Sequence, residues 1–420
     1  MKKLLFTITI TLISTIILAQ WEATDVMEHN QVNQGSPVFA SCIHKGAVYV
    51  STKIPQRSEI IKSIDNGETW TDINFPEHIG WFSHIVSVDN RLYVANYNNW
   101  YAKSTIWYTE DDGETWVIDT AGMPGGGGAN GGAYVISMHG WRGHLIATFG
   151  GADLYYMKSF DGNWELVEDL VPVDPSVYDS RGDTVFAVKK YSPDFGQTWI
   201  TPSNNGLPSN IAPQAIFATG NRIYISGDNL GSNILVYSDD SGENWQTIDL
   251  GEWAGQAVWS IYAMDQQLWL GINSDVTTRV LYSSDGGNTF DDYSDGLPED
   301  PFGTYQISNF MRIENTLFAS NNFMDVYKRN IEINSGLFDH ETNQMVRVYP
   351  NPARDFIAMD APADLKITSV EVFDLNGVLQ ISTTGLNKQY VEISELRKGS
   401  YLIRFTRKDG KNMIAKFMKK

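Results

Sequence analysis

The sequence predicts an all-β protein, a seven-bladed β-propeller followed by a small Ig-like β-sandwich. Three observations carry this prediction: a turn motif occurs six times, a strand signature occurs seven times, and the composition changes near residue 346. A period of about 45 residues indicates one supersecondary unit per repeat. Four-stranded units repeated around an axis form a propeller, which protects most of the sheet edges.

The turn motif has the pattern Ser/Thr-x-Asp-x-Gly-x-Thr/Asn-Trp/Phe, and its first copy is SIDNGETW, from Ser63 to Trp70. We expect the Asp to accept hydrogen bonds from backbone N–H groups one to three residues further on. The Gly supplies backbone angles that other residues resist, and the aromatic ring fills apolar space between sheets. Because six near-identical copies cannot all be active sites, the motif is predicted to be structural. Its residues are Asp65, Gly67, Trp70, Asp111, Gly113, Trp116, Asp161, Trp164, Asp194, Gly196, Trp199, Asp240, Gly242, Trp245, Asp285, Gly287 and Phe290.

The strand signature appears as AVYVS, RLYVA, HLIAT, TVFAV, RIYIS, QLWLG and TLFAS. Around the second copy, residues 84–120 contain four β-rich runs separated by turn residues, which predicts a four-stranded meander. The signature is then the second strand, and the Asp turn joins the third strand to the fourth. Loops between second and third strands are expected at the opposite end, for example over residues 51–59 and 273–279. Residues 21–30 have no unit of their own, so we expect them to give a strand to the last sheet and close the ring.

These Asp turns resemble the Asp-box (BNR) repeats of sialidase-like propellers, over roughly residues 21–335. The resemblance implies a propeller fold with its ligand face opposite the boxes. It implies little about activity, because similar boxes occur in sialidases, xyloglucanases, sortilin-type receptors and non-enzymatic photosystem assembly factors.

Aromatic residues cluster in the loops that this arrangement places on the ligand face. Aromatic rings beside acids suit sugar rings or peptide segments. For Trp81 and Trp253, packing under their own loops is an equally good interpretation. The candidate ligand-binding residues are Trp81, Trp100, Tyr101, Trp253, Tyr305, Arg57 and Arg279.

Two enzyme classes can be compared with the sequence. A sialidase-like enzyme would need three arginines around the substrate carboxylate. Only Arg57 and Arg279 lie on the predicted ligand face, and the Arg-Ile-Pro signature of sialidases is absent.

A xyloglucanase-like enzyme would need two carboxylates flanking a sugar cleft. Nothing in the sequence ranks the possible acids, which are Asp228, Glu252, Asp275, Glu299, Asp300 and Asp325.

We therefore predict no catalytic residues, no metal and no cofactor, and a non-catalytic protein that binds a glycan or a protein ligand. A glycoside hydrolase and a structural or assembly protein remain the alternatives. The formal charge of −19 argues against a nucleic-acid partner, because so acidic a surface repels phosphate.

The two ends of the sequence predict export. Lys2 and Lys3, an apolar run and Ala19 are typical of a signal peptide over residues 1–19. The run is shorter than a spanning helix needs, so the mature protein is predicted to have no membrane-spanning segment.

Four stretches stand out near the other end: Tyr349–Pro352, Phe373–Gly377, Leu396 with Lys398–Tyr401, and the basic tail ending at Lys420. Together they resemble the type A C-terminal sorting domain of the type IX secretion system of Bacteroidota. The resemblance implies the secretion machinery as a partner of residues 346–420, and a secreted or outer-surface location. The predicted organisation is a signal peptide (1–19), a propeller (20–335), a linker (336–345) and a sorting domain (346–420).

Overall fold

Antiparallel sheets make up the fold, and α-helix in the described part of the chain is confined to α1 (Val26–His29). The chain divides into two units, residues 1–332 and 333–420. The predicted signal peptide and linker lie outside the described residues. The computed structural model describes residues 20–29, 38–54, 57–76, 81–98, 103–123, 134–150, 154–159, 161–170, 177–220, 222–264, 266–274, 277–299, 306–321, 325–331, 347–349, 353–360, 367–374, 378–384, 390–407 and 412–420.

In the first unit, the described residues form seven sheets. Their strands are β1 (Glu22–Ala23), β2 (Val38–His44), β3 (Ala47–Ile54), β4 (Arg57–Ser63), β5 (Thr71–Ile73), β6 (Trp81–Val88), β7 (Arg91–Asn98), β8 (Lys103–Thr109), β9 (Val117–Ile118), β10 (Tyr134–Trp141), β11 (His144–Gly150), β12 (Leu154–Ser159), β13 (Glu165–Leu166), β14 (Tyr178–Arg181), β15 (Thr184–Ala187), β16 (Lys190–Ser192), β17 (Ile211–Thr219), β18 (Arg222–Asn229), β19 (Ser232–Ser238), β20 (Gln246–Thr247), β21 (Ala257–Met264), β22 (Gln267–Ser274), β23 (Thr277–Ser283), β24 (Asp291–Asp292), β25 (Ile307–Ile313), β26 (Thr316–Asn321) and β27 (Val326–Asn330).

Consecutive strands pair within each sheet. The sheets are β2–β5, β6–β9, β10–β13, β14–β16, β17–β20, β21–β24, and β25–β27 with β1. In the fourth sheet, a single bridge between Tyr191 and Ile200 stands where the others have a fourth strand. Each copy of the strand signature lies on the second strand of its sheet. In β3, for example, Val48, Tyr49 and Val50 are all buried. Such a strand is covered on both faces, which explains its nearly continuous apolar run.

The first strands of successive sheets contact one another, and β25 contacts β2, so the sheets form a closed ring with the first strands innermost. The ring is closed by β1, in which Glu22 pairs with Lys328 and Ala23 with Tyr327 of β27. The prediction that residues 21–30 supply a strand to the last sheet is therefore confirmed.

The connections between second and third strands are shorter than the sequence predicted. Loops were expected over residues 51–59 and 273–279, but pairing continues to Ile54–Arg57 and Ser274–Thr277. A two-residue connection is enough to join antiparallel strands. Arg57 and Arg279 consequently lie in strands and not in loops.

The second unit contains two antiparallel sheets, β28–β29–β32 and β31–β30–β33–β34. Their buried side chains form one core, in which Ile357 and Val391 from the first sheet join Val372 and Phe405 from the second. The strands are β28 (Arg347–Tyr349), β29 (Phe356–Asp360), β30 (Ile367–Asp374), β31 (Leu379–Thr384), β32 (Tyr390–Glu392), β33 (Gly399–Arg407) and β34 (Asn412–Lys419).

Candidate functional site

The first Asp turn shows how the motif is bonded. Asp65 accepts the backbone N–H of Thr69 at 2.9 Å and its hydroxyl at 2.6 Å, and these bonds lower the pKa of Asp65 to about 2. The N–H donor lies four residues on, and not one to three as predicted, because Gly67 turns the chain back with a φ of 81°. Ser63 accepts the N–H of Gly67 and donates to Asp65. The same two bonds recur at Asp111, Asp194 and Asp285, and at Asp240 the side-chain amide of Asn244 replaces the hydroxyl. Asp285 also accepts the N–H of Asn288, three residues on, as predicted.

The aromatic residue of the motif bonds to the neighbouring sheet, which the sequence did not reveal. In three copies the indole N–H donates to the backbone carbonyl that directly follows the fourth strand of the preceding sheet. A hydrogen bond that joins two sheets in this way fixes their spacing as well as filling the gap. The pairs are Trp70 with Thr24 at 2.6 Å, Trp116 with Asn74 at 3.0 Å and Trp164 with Asp119 at 3.2 Å.

A buried ion pair joins the second and third sheets. The ammonium of Lys158 in β12 lies 2.7 Å from one oxygen of Asp119 and 2.5 Å from the other. The side chains of Lys158 and Asp119 are only 3% and 9% exposed. Each charge is therefore compensated mainly by the other.

The opposite end of the ring, away from the Asp turns, carries a repeated irregularity. In six of the seven described first strands, one extra residue interrupts the pairing with the second strand. In each case five paired residues separate it from the turn into the second strand, so the extra residues lie at the same level. Such a bulge re-aims a side chain and is common beside functional sites. We call these residues the bulge ring: Phe39, Ser83, Ile136, Gln214, Trp259 and Ser308.

The bulge ring combines exposed apolar surface with hydrogen-bonding groups. Phe39 is 37% exposed and Ile136 is 39% exposed, although both lie on innermost strands. The indole N–H of Trp259 and the amide oxygen of Gln214 are buried and have no hydrogen-bond partner among the described residues. A buried donor or acceptor without a partner costs stability, so such groups call for an explanation.

The predicted ligand residues fall into three groups. Trp100, Tyr101 and Tyr305 lie outside the described residues. Trp81 begins β6 and Arg57 begins β4, but their side chains are not described. The side chains of the other two, Trp253 and Arg279, are described.

Trp253 ends a 3₁₀ turn, Gly251–Trp253, and packs on the apolar core between the fifth and sixth sheets. Of the two interpretations given for Trp253, ligand binding and packing under its own loop, this contact agrees with packing. Arg279 forms an ion pair with Asp292 on the fourth strand of its own sheet.

Two of the six possible acids already have structural partners. Asp228 accepts the N–H of Gly231 at 3.0 Å. Asp325 accepts the N–H groups of Val26 and Val326, and burial raises its pKa to about 6. Its carboxylate thus helps to hold the N-terminal segment against the last sheet.

Of the four remaining acids, the structure describes two. Glu252 and Glu299 are exposed, whereas Asp275 and Asp300 lie outside the described residues. Over the described ranges, no three His, Cys, Asp or Glu side chains are grouped so that they could hold a metal ion. A search of the same ranges finds no helix with the length and apolar character needed to cross a membrane.

A further titratable pair, absent from the sequence prediction, joins the innermost strands of the third and fourth sheets. Asp179 accepts the N–H of Ala218 at 2.6 Å, and His139 lies 2.9 Å from the hydroxyl of Ser180. Burial raises the pKa of Asp179 to about 7 and lowers that of His139 to about 4. The two side chains are each 21% exposed.

Comparison with known proteins identifies part of the chain. Residues 347–420 match the family model of the secretion system C-terminal sorting domain. This match supports secretion or an outer-surface location, as predicted, and interaction with the secretion machinery. No curated protein sequence matches the chain significantly.

Within the sorting domain, two of the predicted motifs can be followed through their described residues. Asp374 accepts the N–H of Val378, which tightens the turn between β30 and β31. The hydroxyl of Tyr401 donates to the carbonyl of Arg397. The Asn376-Gly377 pair itself lies outside the described residues.

Solved structures show what the whole chain is similar to. The extracellular domain of the hybrid two-component system BT4673 from B. thetaiotaomicron has a TM-score of 0.50 and 9% identity, with 96% of this chain and 59% of that one covered. YCF48 from Cyanidioschyzon merolae has a TM-score of 0.49 and 13% identity, with coverages of 74% and 99%. The Niastella koreensis GH74 enzyme has a TM-score of 0.28 and 11% identity, with coverages of 70% and 67%. The BT4673 domain is propeller-like, and at 9% identity it shows the fold alone.

Proposed function

We propose that this protein is an exported seven-bladed Asp-box propeller that binds a glycan or protein ligand without catalysis, carried to the cell surface or medium by an Ig-like sorting domain. The proposed boundaries are those predicted from the sequence, with a signal peptide over residues 1–19 and the propeller over 20–335. The observation that carries the proposal is the bulge ring. It offers apolar surface, one donor and one acceptor at the end of the ring opposite the Asp turns.

The chemistry of the bulge ring suits a bound ligand. An apolar contact at Phe39 and Ile136 would remove exposed hydrocarbon from water, at roughly 25 cal/mol per Å². Hydrogen bonds from a ligand to Trp259 and Gln214 would satisfy groups that have no partner in the described part of the chain.

Four aromatic residues predicted from the sequence to bind a ligand belong to the end of the repeats that carries the bulge ring. Trp81 stands two residues before the bulge at Ser83, and Tyr305 stands two residues before Ile307 of β25. Trp100 and Tyr101 fall between β7 and β8. We propose that these four residues extend the surface of the bulge ring.

Binding is favoured over glycoside hydrolysis by the state of the acids. A hydrolase requires two carboxylates on either side of a sugar. Asp228 and Asp325 are engaged by backbone N–H groups, and no described pair of carboxylates flanks the bulge ring.

The test uses the full chain on a glycan array, together with quantitative binding to any purified protein recovered as a partner. Ile136→Ser and Trp259→Phe should each weaken binding about tenfold, because one loses buried hydrocarbon and the other a hydrogen-bond donor. Ile64→Ser is the matched control, since Ile64 is 79% exposed at the Asp-turn end of the ring.

Equal binding by the Ile136 and Ile64 variants would remove the bulge ring as the site. Turnover of polysaccharides or sialyl substrates that disappears when one acid at this end is changed to Ala would favour the hydrolase instead. A protein that binds only through its outer sheet edges would favour an assembly role.

A further inference from the structure

The junction between the third and fourth sheets lacks the bond that Trp70, Trp116 and Trp164 make at three other junctions. By the pattern of those three boxes, the indole of Trp199 should donate to the carbonyl of Val167, which directly follows β13. That carbonyl instead accepts the N–H of Leu170 at 3.2 Å, inside a 3₁₀ turn, Glu168–Leu170. The indole nitrogen of Trp199 is buried and has no hydrogen-bond partner among the described residues.

A cleft opens where this bond is missing. It has a volume of about 530 Å³, which lies within the range of small-ligand sites. Rings, amides and carboxylates all contribute to its wall. The wall includes His144, Asn163, Glu165, Phe195, Gln197 and Trp199.

Phe195 is the second unusual feature of the cleft. Its φ is 60°, in the left-handed region that bulky side chains avoid. The other complete boxes have small or polar residues at this position, namely Asn66, Asp112, Ser241 and Gly286. The ring of Phe195 stacks on that of His144, with centroids 4.6 Å apart and planes 23° from parallel. One side of Phe195 packs on the buried cluster around Trp141 and Ile146, and the residue also lines the cleft. A strained backbone at a residue that lines a cleft is a reason to look for function there.

We propose that this cleft is a second binding site, on the Asp-turn end of the ring, for a neutral sugar residue of a glycan. The rings of Phe195 and Trp199 provide apolar surface for the C–H face of the sugar. The indole N–H of Trp199 donates to a hydroxyl oxygen of the sugar. Asn163, Gln197 and Glu165 then bond the remaining hydroxyl groups.

The donor on Trp199 distinguishes a sugar from a cation. The carboxylate of Glu165 could attract an ammonium or guanidinium group, and aromatic rings also bind cations. Such a group has only donors, however, so it would leave the indole N–H of Trp199 without a partner. A hydroxyl group is both donor and acceptor, and it satisfies the carboxylate and the indole together.

The test measures calorimetric binding of the full chain to neutral hexasaccharides of glucose, xylose, mannose and galactose. We expect at least one of them to bind. Trp199→Phe keeps the ring and removes the donor, which should weaken binding about three- to tenfold. Phe195→Asn should weaken it about tenfold, while the melting temperature stays equal or rises because Asn tolerates the left-handed backbone.

Trp116→Phe is the matched control, since its indole N–H is already bonded to Asn74. This variant should lower the melting temperature and leave sugar binding unchanged. Ile136→Ser separates the cleft from the bulge ring, because it should leave hexasaccharide binding at the cleft intact. The proposal is overturned if no hexasaccharide binds, if a pentalysine peptide binds in their place, or if Trp116→Phe weakens sugar binding as much as Trp199→Phe.

Discussion

The buried pair between Asp119 and Lys158 gives a prediction whose size follows from burial. Asp119→Ala would leave the ammonium of Lys158, only 3% exposed, without its carboxylate. Removing one partner of a buried pair typically costs about 3–5 kcal/mol, because the remaining charge is neither solvated nor compensated. The bond from Trp164 should survive the substitution, since it goes to the backbone carbonyl of residue 119.

The free energy of unfolding can be measured by urea titration with tryptophan fluorescence. Trp269 is the last of the 13 tryptophans, so the signal reports on the first unit of the chain. Asp119→Ala should lower the free energy of unfolding by about 3–5 kcal/mol. The double variant Asp119→Leu/Lys158→Met should lie within about 1 kcal/mol of the wild type or above it, because no charge is then left buried.

An exposed pair provides the comparison. Arg142 and Asp183 form an ion pair with side chains 58% and 51% exposed, so Asp183→Ala should cost at most about 1 kcal/mol. The reasoning is refuted if Asp119→Ala costs no more than Asp183→Ala. It is also refuted if the double variant is as unstable as Asp119→Ala alone.

Three further predictions concern a turn, a buried acid and export. Ser63→Ala should lower the free energy of unfolding by about 1–2 kcal/mol, because the N–H of Gly67 loses its acceptor; an unchanged urea midpoint would contradict this. Since the pKa of Asp179 is raised to about 7, its protonated form is favoured in the folded state, and stability should fall as pH rises from about 4 to 7. Asp179→Asn should flatten that slope in pH-dependent thermal melts, whereas an unchanged slope would rule out this residue as its source. Deletion of residues 347–420 should leave the chain in the periplasm by cell fractionation, and normal secretion would argue against a sorting role.

The features that could be predicted from the sequence are those made by local bonding. Asp65 and Thr69 are four residues apart, so the turn is visible as a motif. The covered second strands are visible as apolar runs because both of their faces are buried. The strand that closes the ring could be inferred from a segment left over after the repeats had been assigned.

The features that could not be predicted depend on register or on distant residues. Asp119 and Lys158 are 39 residues apart and belong to different sheets, and neither is part of a motif. A bulge is one extra residue in a strand, and no residue type in the sequence around Ile136 indicates that a bulge forms there. The packing of Trp253 on the core shows that an aromatic residue in a predicted loop does not reveal its own burial.

The place where β1 closes the ring has a consequence for folding. Until β1 arrives, β27 is an open edge whose backbone groups can template a strand from another molecule. That edge carries Lys328 and Arg329, and charged side chains oppose such pairing. Once the ring has closed, Lys328 pairs with Glu68 and Arg329 lies over the ring of Tyr293. Lys328 and Arg329 thus oppose aggregation while the edge of β27 is unpaired. After β1 has paired with that edge, the same two side chains hold the last sheet to its neighbours.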